Sequence, residues 1–86
     1  MGAYSASKAT LIHLSEAMFA DLIDKNINVN CVLPTIIKTP ENRAAVPDLN
    51  PAQWVTPAAL ADVIALLCSD GTSAIHGASI PVTGLV

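Results

Sequence analysis

Tyr4 and Lys8 lie close to the start of the chain. Their residue types and their spacing would allow them to act together in proton transfer. Four residues of helix rise about 6 Å and turn about 400°, so the two side chains would project side by side. An ammonium group beside a phenol stabilises the phenolate, and such a pair could exchange a proton with a carbonyl or an alcohol. The same spacing also fits an ordinary solvated lysine that packs its stem over a ring.

A helix from about residue 5 to residue 25 is predicted, with Tyr4 at its start and Lys8 in its first turn. Its apolar side chains cover about half of the circumference, wider than a surface helix needs, which favours burial between two layers. These side chains are Leu11, Ile12, Leu14, Met18, Phe19, Leu22 and Ile23.

The segment that follows alternates apolar and polar residues over 27–33, which predicts a strand closed by Pro34. Residues 34–55 contain four prolines and no clear period, and a connection of this length is usually functional or disordered. Trp54, near its end, could pack over a substrate pocket or anchor this loop to the body, and the anchor is the favoured interpretation.

A second helix is predicted from Thr56, as N-cap, and Pro57, to a stop at Asp70-Gly71, with Gly71 as a left-handed cap. The last stretch, "ASIPVTG", predicts a strand, and its proline at position 81 restricts that strand to the edge of a sheet.

The order helix, strand, long loop, helix, edge strand defines the fold class as α/β, with parallel pairing of the two strands. Parallel sheets are covered on both faces and contain several strands, so the two predicted strands are too few to form a complete sheet. We therefore predict that residues 1–86 form one segment, the C-terminal portion of a doubly wound, Rossmann-like parallel sheet whose N-terminal half is absent.

Composition limits the classes of function. The net charge is −3 and the four basic residues are scattered, which argues against a nucleic-acid partner. No apolar run is long enough for a membrane span, and His13 and His76 have no metal-ligand spacing, so no metal is predicted. Cys31 and Cys68 are expected to be small buried residues in a cytoplasmic, reduced setting. An apolar fraction of 52% in so short a chain indicates a missing partner or a missing part of the domain.

Three stretches together resemble the C-terminal part of the short-chain dehydrogenase/reductase family: "GAYSASKATLIHLSEAMFADL", "INVNCVLPTIIKTP" and "GASIPVTG". The family's Tyr-x-x-x-Lys motif corresponds to Tyr4 and Lys8. Its Pro-Gly-x-x-x-Thr element corresponds to Pro34 through Thr39, with Thr35 where glycine is commonest. The resemblance covers essentially the whole chain.

This resemblance implies hydride transfer between NAD or NADP and a small-molecule carbonyl or secondary alcohol. It implies that Tyr4 is the general acid/base, and that Lys8 eases its ionisation and hydrogen-bonds the nicotinamide ribose. Pro34, Ile37 and Thr39 match positions at the nicotinamide end of the cofactor, where contacts are made largely through backbone groups and the threonine hydroxyl.

Two parts of the family's machinery are not found in these 86 residues: the glycine-rich phosphate loop and the catalytic serine. Ser5 and Ser7 project away from Tyr4 around the helix and cannot replace that serine. We therefore expect the chain alone to have no turnover.

Two other hypotheses stay open at this point. The chain could be a truncated, non-enzymatic interaction module that forms a homo-oligomer through its first helix and last strand. It could also be an unrelated small α/β domain in which Tyr4 and Lys8 are structural.

Overall fold

The computed structural model describes residues 1–85, and its elements follow the predicted order. Short 3-10 turns connect the helices and strands at Ile23–Lys25, Pro51–Gln53 and Asp70–Thr72. The main elements are α1 (Gly2–Leu22), β1 (Cys31–Pro34), α2 (Pro40–Ala45), α3 (Pro57–Leu67) and β2 (Ser79–Val82).

Helix α1 begins three residues earlier than predicted, and its last predicted turn is the 3-10 turn Ile23–Lys25. Asn26 then adopts a left-handed conformation with φ of 57°, which ends the helical path. This termination needs no glycine because asparagine tolerates that conformation better than most residues.

The expected burial of α1 between two layers is wrong within this chain. None of its residues is buried, and much of its apolar face is exposed. The physical reason is that the described residues supply only a two-stranded sheet, which is too small to cover a helix of this length. The large exposed side chains on α1 are Tyr4, Leu11, Leu14 and Met18.

Strands β1 and β2 pair in parallel, from Cys31 opposite Ser79 to Pro34 opposite Val82, as predicted from the strand-helix-strand order. Among the described residues β2 has one strand partner, which is true of both strands in a two-stranded sheet, so its position at the edge of a larger sheet stays a prediction. Strand β1 likewise has no second neighbour in this part of the chain.

The predicted strand over 27–33 is shorter in the structure because asparagine side chains replace part of its pairing. Asn30 Oδ1 accepts a hydrogen bond from the Ala78 N–H at 2.9 Å, and Asn30 Nδ2 donates to the Ile75 carbonyl at 3.2 Å. The Asn28 side-chain amide donates to the same carbonyl. These bonds hold the segment ahead of β2 in place, so the regular ladder begins only at Cys31.

Helix α3 begins as predicted and ends differently. The Thr56 hydroxyl oxygen accepts from the Ala59 N–H at 3.1 Å, and Pro57 occupies the first turn. The helix stops at Leu67, and Gly71 lies in a 3-10 turn without positive φ, so its predicted role as a left-handed cap is wrong. The Thr72 hydroxyl donates to the Leu66 carbonyl at 2.7 Å and satisfies a helix-end acceptor instead.

The buried core centres on Trp54 and Val55, which are 5% and 3% exposed. The interpretation of Trp54 as an anchor is confirmed by this burial. Residues 34–55, predicted to lack periodic structure, contain α2 and a 3-10 turn. The end of the described chain is tied down beside this core by a backbone hydrogen bond, from the Leu85 N–H to the Gln53 carbonyl at 3.0 Å.

Burial of both cysteines was expected, and for Cys68 this is wrong: it is exposed at the end of α3, whereas Cys31 is partly buried. The His, Cys, Asp and Glu side chains of residues 1–85 form no cluster that could hold a metal ion. No helix in this range has the length and apolarity that a membrane span requires.

Candidate active site

Tyr4 and Lys8 lie in the first two turns of α1, and the structure confirms that they are adjacent. Lys8 Nζ is 5.4 Å from the centroid of the Tyr4 ring, within the range of a cation–π contact. Tyr4 is 59% exposed, and its hydroxyl has no hydrogen-bond partner among the described residues. The Ser7 hydroxyl donates to the backbone carbonyl of Tyr4 at 2.7 Å, so its hydrogen bond does not reach the phenol oxygen.

Residues 34–39, which we term the post-strand loop, are held against the buried core. The Val55 N–H donates to the Ile36 carbonyl at 3.0 Å, and the Lys38 N–H donates to the Val55 carbonyl at 2.7 Å. Together these bonds form a short parallel bridge between Ile37 and Val55. Because Val55 is the most buried of the core residues, the loop is fixed at its centre.

Ile37 has one free backbone group within this loop. Its carbonyl accepts from the Thr39 N–H and from Asn42 Nδ2, both at 2.8 Å. Its N–H has no acceptor among residues 1–85. The loop therefore offers an unused hydrogen-bond donor, the kind of group that a carboxamide oxygen accepts from.

Thr39 is the N-cap of α2, a role that the sequence reasoning missed. Its hydroxyl oxygen accepts from the Asn42 N–H at 3.2 Å, and Pro40 follows at the first helical position. The hydroxyl proton remains available to donate to a ligand. The signal for α2 was present, because the Thr-Pro pair at 39–40 repeats the pair that begins α3 at 56–57.

Thr35, where the family most often has glycine, fits this backbone. Asn26 is the only non-glycine residue of the described range with positive φ, so the Cβ of Thr35 causes no strain of that kind. Its hydroxyl donates to the Thr83 carbonyl at 3.0 Å and ties the post-strand loop to the residue after β2. Pro34, just before it, ends β1.

The structure thus gathers the predicted site residues into two groups, one at the start of α1 and one in the post-strand loop. In residues 1–85 no hydrogen bond joins the two groups directly. The other end of α1 is placed by Phe19, whose ring lies 6.0 Å from that of His76, ahead of β2.

Of two open cavities in the described structure, only one involves a predicted site residue. The larger, of about 700 Å³, lies where residues 26–32 face the end of α3, and none of the predicted residues lines it. The smaller, of about 450 Å³, is lined by Lys38, Thr39, Pro40 and Arg43. Its connection to Thr39 makes it the relevant one, although Lys38 and Arg43 were not among the predicted site residues.

Comparison with known proteins gives the family. Residues 1–84 match the model of the family described as enoyl-(acyl carrier protein) reductase. The chain therefore belongs to the short-chain dehydrogenase/reductase family, as its motifs indicated. The hypothesis of an unrelated α/β domain is accordingly wrong.

Curated relatives include dehydrogenase/reductase SDR family member 4 of Mus musculus, 33% identical over 98% of this chain and 34% of that protein. The 3-oxoacyl-[acyl-carrier-protein] reductase MabA of Mycobacterium tuberculosis is 37% identical over 94% of this chain and 36% of its own length. The chain thus spans about a third of the length of these curated relatives.

Solved structures share the fold. Acetoin dehydrogenase YohF from Salmonella typhimurium matches with a TM-score of 0.80 and 36% identity, over 98% of this chain and 35% of that one. A 4-hydroxyisoleucine dehydrogenase complexed with NADH matches with a TM-score of 0.79 and 30% identity, over 96% of this chain and 37% of that one. The neighbours are therefore Rossmann-like oxidoreductases, at least one of which binds a nicotinamide cofactor.

Proposed function

We propose that this chain is the C-terminal segment of an NAD(P)-dependent oxidoreductase that transfers hydride between a nicotinamide and a carbonyl or secondary alcohol. The observation that carries the proposal is the pairing of Tyr4 with Lys8 on α1, with the ammonium 5.4 Å from the ring centroid. Family membership over residues 1–84 supports it. The two free cysteines suit a cytoplasmic location.

In this proposal Tyr4 is the acid/base. Its exposed phenol donates a proton to the carbonyl oxygen during reduction, and in the reverse direction its phenolate takes one from the substrate hydroxyl. Lys8 assists as the family's lysine does, from a position beside the ring in which its Nζ is 5.4 Å from the ring centroid.

The post-strand loop supplies groups that fit the nicotinamide end of NAD or NADP. The free N–H of Ile37 and the hydroxyl proton of Thr39 are donors, Pro34 begins the loop, and Lys8 is the donor for the ribose. When bound, the nicotinamide supplies or accepts the hydride. The glycine-rich loop for the pyrophosphate is not found among these 86 residues, so a further segment must bind the rest of the cofactor.

Chain topology supports a common location for the two groups. Phe19 lies at the amino end of β2, against His76 and Gly77. From Phe19, the helix extends about 22 Å back to Tyr4 at 1.5 Å per residue. We infer that this path runs along the strands toward their carboxyl ends, where the post-strand loop begins and where open α/β sheets bind ligands.

The test uses the complete polypeptide encoded by the gene that carries this chain. We expect it to oxidise NADH or NADPH with a carbonyl substrate, and we expect Tyr4→Phe to lower kcat by about 100-fold or more, because general acid/base catalysis contributes that much. Lys8→Met should also lower kcat while circular dichroism stays unchanged. A Tyr4→Phe variant with the kcat of the wild type would contradict the assignment. The 86-residue chain alone should show no turnover.

A second candidate function is suggested by the exposed apolar face of α1. Leu11, Leu14 and Met18 are between 43% and 53% exposed, and patches of this kind mark interaction surfaces. In this alternative the chain acts as a binding module that pairs with itself or with a full-length relative through α1 and β2. Light scattering that finds a folded monomer in dilute solution would exclude self-association.

A further inference from the structure

The smaller cavity contains half of the basic residues of the chain. Lys38 and Arg43 both line it, beside Thr39 and Pro40. Lys38 directly precedes the N-cap of α2, and Arg43 is the fourth residue of that helix. The local fold therefore brings two cations to one cavity.

These two cations have no neutralising partner in the described part of the chain. Both side chains are exposed, and no carboxylate of residues 1–85 lies within ion-pair distance of either. The chain as a whole carries a net charge of −3, so the cavity is a local positive site on an acidic protein. Two unpaired like charges that share a cavity attract an anion, and a guanidinium matches the two oxygens of a carboxylate.

We propose that Lys38 and Arg43 bind an anionic group of the substrate, which makes carbonyl and hydroxy compounds bearing a carboxylate the preferred substrates. This inference rests on the proposed function, because Thr39 belongs both to the cavity and to the post-strand loop that would hold the nicotinamide. The pyrophosphate of the cofactor has the same anionic chemistry, so the experiment must separate these two sources.

The kinetic arm compares levulinate, a keto acid, with its neutral methyl ester in the complete polypeptide. The variants are Lys38→Gln, Arg43→Gln and, as a matched loss of one positive charge, Lys25→Gln in the 3-10 turn after α1. We expect each cavity variant to lower kcat/KM for levulinate about tenfold or more, the effect of losing one charge-assisted hydrogen bond. The same variants should leave kcat/KM for the ester and KM for NADH and NADPH within about twofold, and Lys25→Gln should change none of these values.

Equal losses of kcat/KM with the acid and the ester would overturn the proposal. A rise in the KM of the cofactor alone would also overturn it, because that result would assign the two cations to the cofactor's pyrophosphate. If the wild type turns over neither compound, the anion site is still tested by binding, independently of the proposed function. In that arm, levulinate, methyl levulinate and inorganic pyrophosphate are titrated while the amide resonances of Thr39 and Arg43 are followed by NMR. Shifts with levulinate that disappear in the double cavity variant support the site. No shift with levulinate, or shifts with pyrophosphate only, would overturn it.

Discussion

Replacement of Gly77 by alanine tests the packing of α1 on the start of β2. Gly77 has φ of +64°, and a Cβ at this position would lie 2.6 Å from Phe19 Cδ2 and 2.9 Å from Phe19 Cγ. The left-handed conformation costs an alanine about 1–2 kcal/mol. Crowding against the ring adds about 1–3 kcal/mol, while the stiffer unfolded chain returns about 0.4–1 kcal/mol. We expect Gly77→Ala to lower the free energy of unfolding by about 1–5 kcal/mol.

The assay is urea unfolding followed by the fluorescence of Trp54, the single tryptophan of the chain, which is 5% exposed. Gly71→Ala is the matched control, because Gly71 lacks positive φ and its nearest neighbour to a new Cβ is Ser69 Oγ at 3.6 Å. Its expected change is within about 0.5 kcal/mol. The Phe19→Ala variant lacks the ring that crowds position 77. When Gly77→Ala is added to it, the further loss in the free energy of unfolding should be only the backbone cost at Gly77. The reasoning is refuted if Gly77→Ala is no more destabilising than Gly71→Ala.

Three further changes test the contacts that position the site. Thr56→Ala removes the N-cap of α3 and should cost about 1 kcal/mol in urea unfolding, whereas Thr56→Ser should cost much less. Asn30→Ala removes two hydrogen bonds to the segment ahead of β2 and should cost about 1–3 kcal/mol in urea unfolding. Asn30→Asp keeps the acceptor for the Ala78 N–H, so its cost should be smaller. Thr35→Val keeps the shape and removes the hydroxyl that donates to Thr83; it should speed hydrogen exchange of the Lys38 amide, and an unchanged rate would show that this bond does not hold the loop.

The features predicted correctly from sequence are those set by neighbouring residues. The cap at Thr56 and the adjacency of Tyr4 and Lys8 each depend on chain geometry over a few residues. Parallel pairing followed from the order of the elements, because a strand-helix-strand unit leaves little other choice.

The features predicted wrongly depend on what lies across from a residue in space. The apolar face of α1 indicated burial, but the sequence pattern cannot say whether the covering layer belongs to the same chain. Gly71 fits a helix cap by type, yet α3 already ends at Leu67, four residues before it, and Gly71 lies in the 3-10 turn that follows. Helix α2 was missed because six residues are too few to show a period, although its Thr39 cap was readable. The cations at the smaller cavity were overlooked because Lys38 and Arg43 are five positions apart and meet only once α2 forms.

The pairing of Asn30 with Ala78 and of Thr35 with Thr83 has a consequence for the order of folding. Each of these bonds joins residues 48 positions apart, one at either end of β1. Closing a loop of that length costs about 3 kcal/mol of chain entropy before any contact is gained. The hydrogen bonds of α1 and α3 carry no such cost, since they close within one turn. We therefore expect the helices to form early and the sheet to assemble late and in a single step, because one closure brings every bond along β1 into reach.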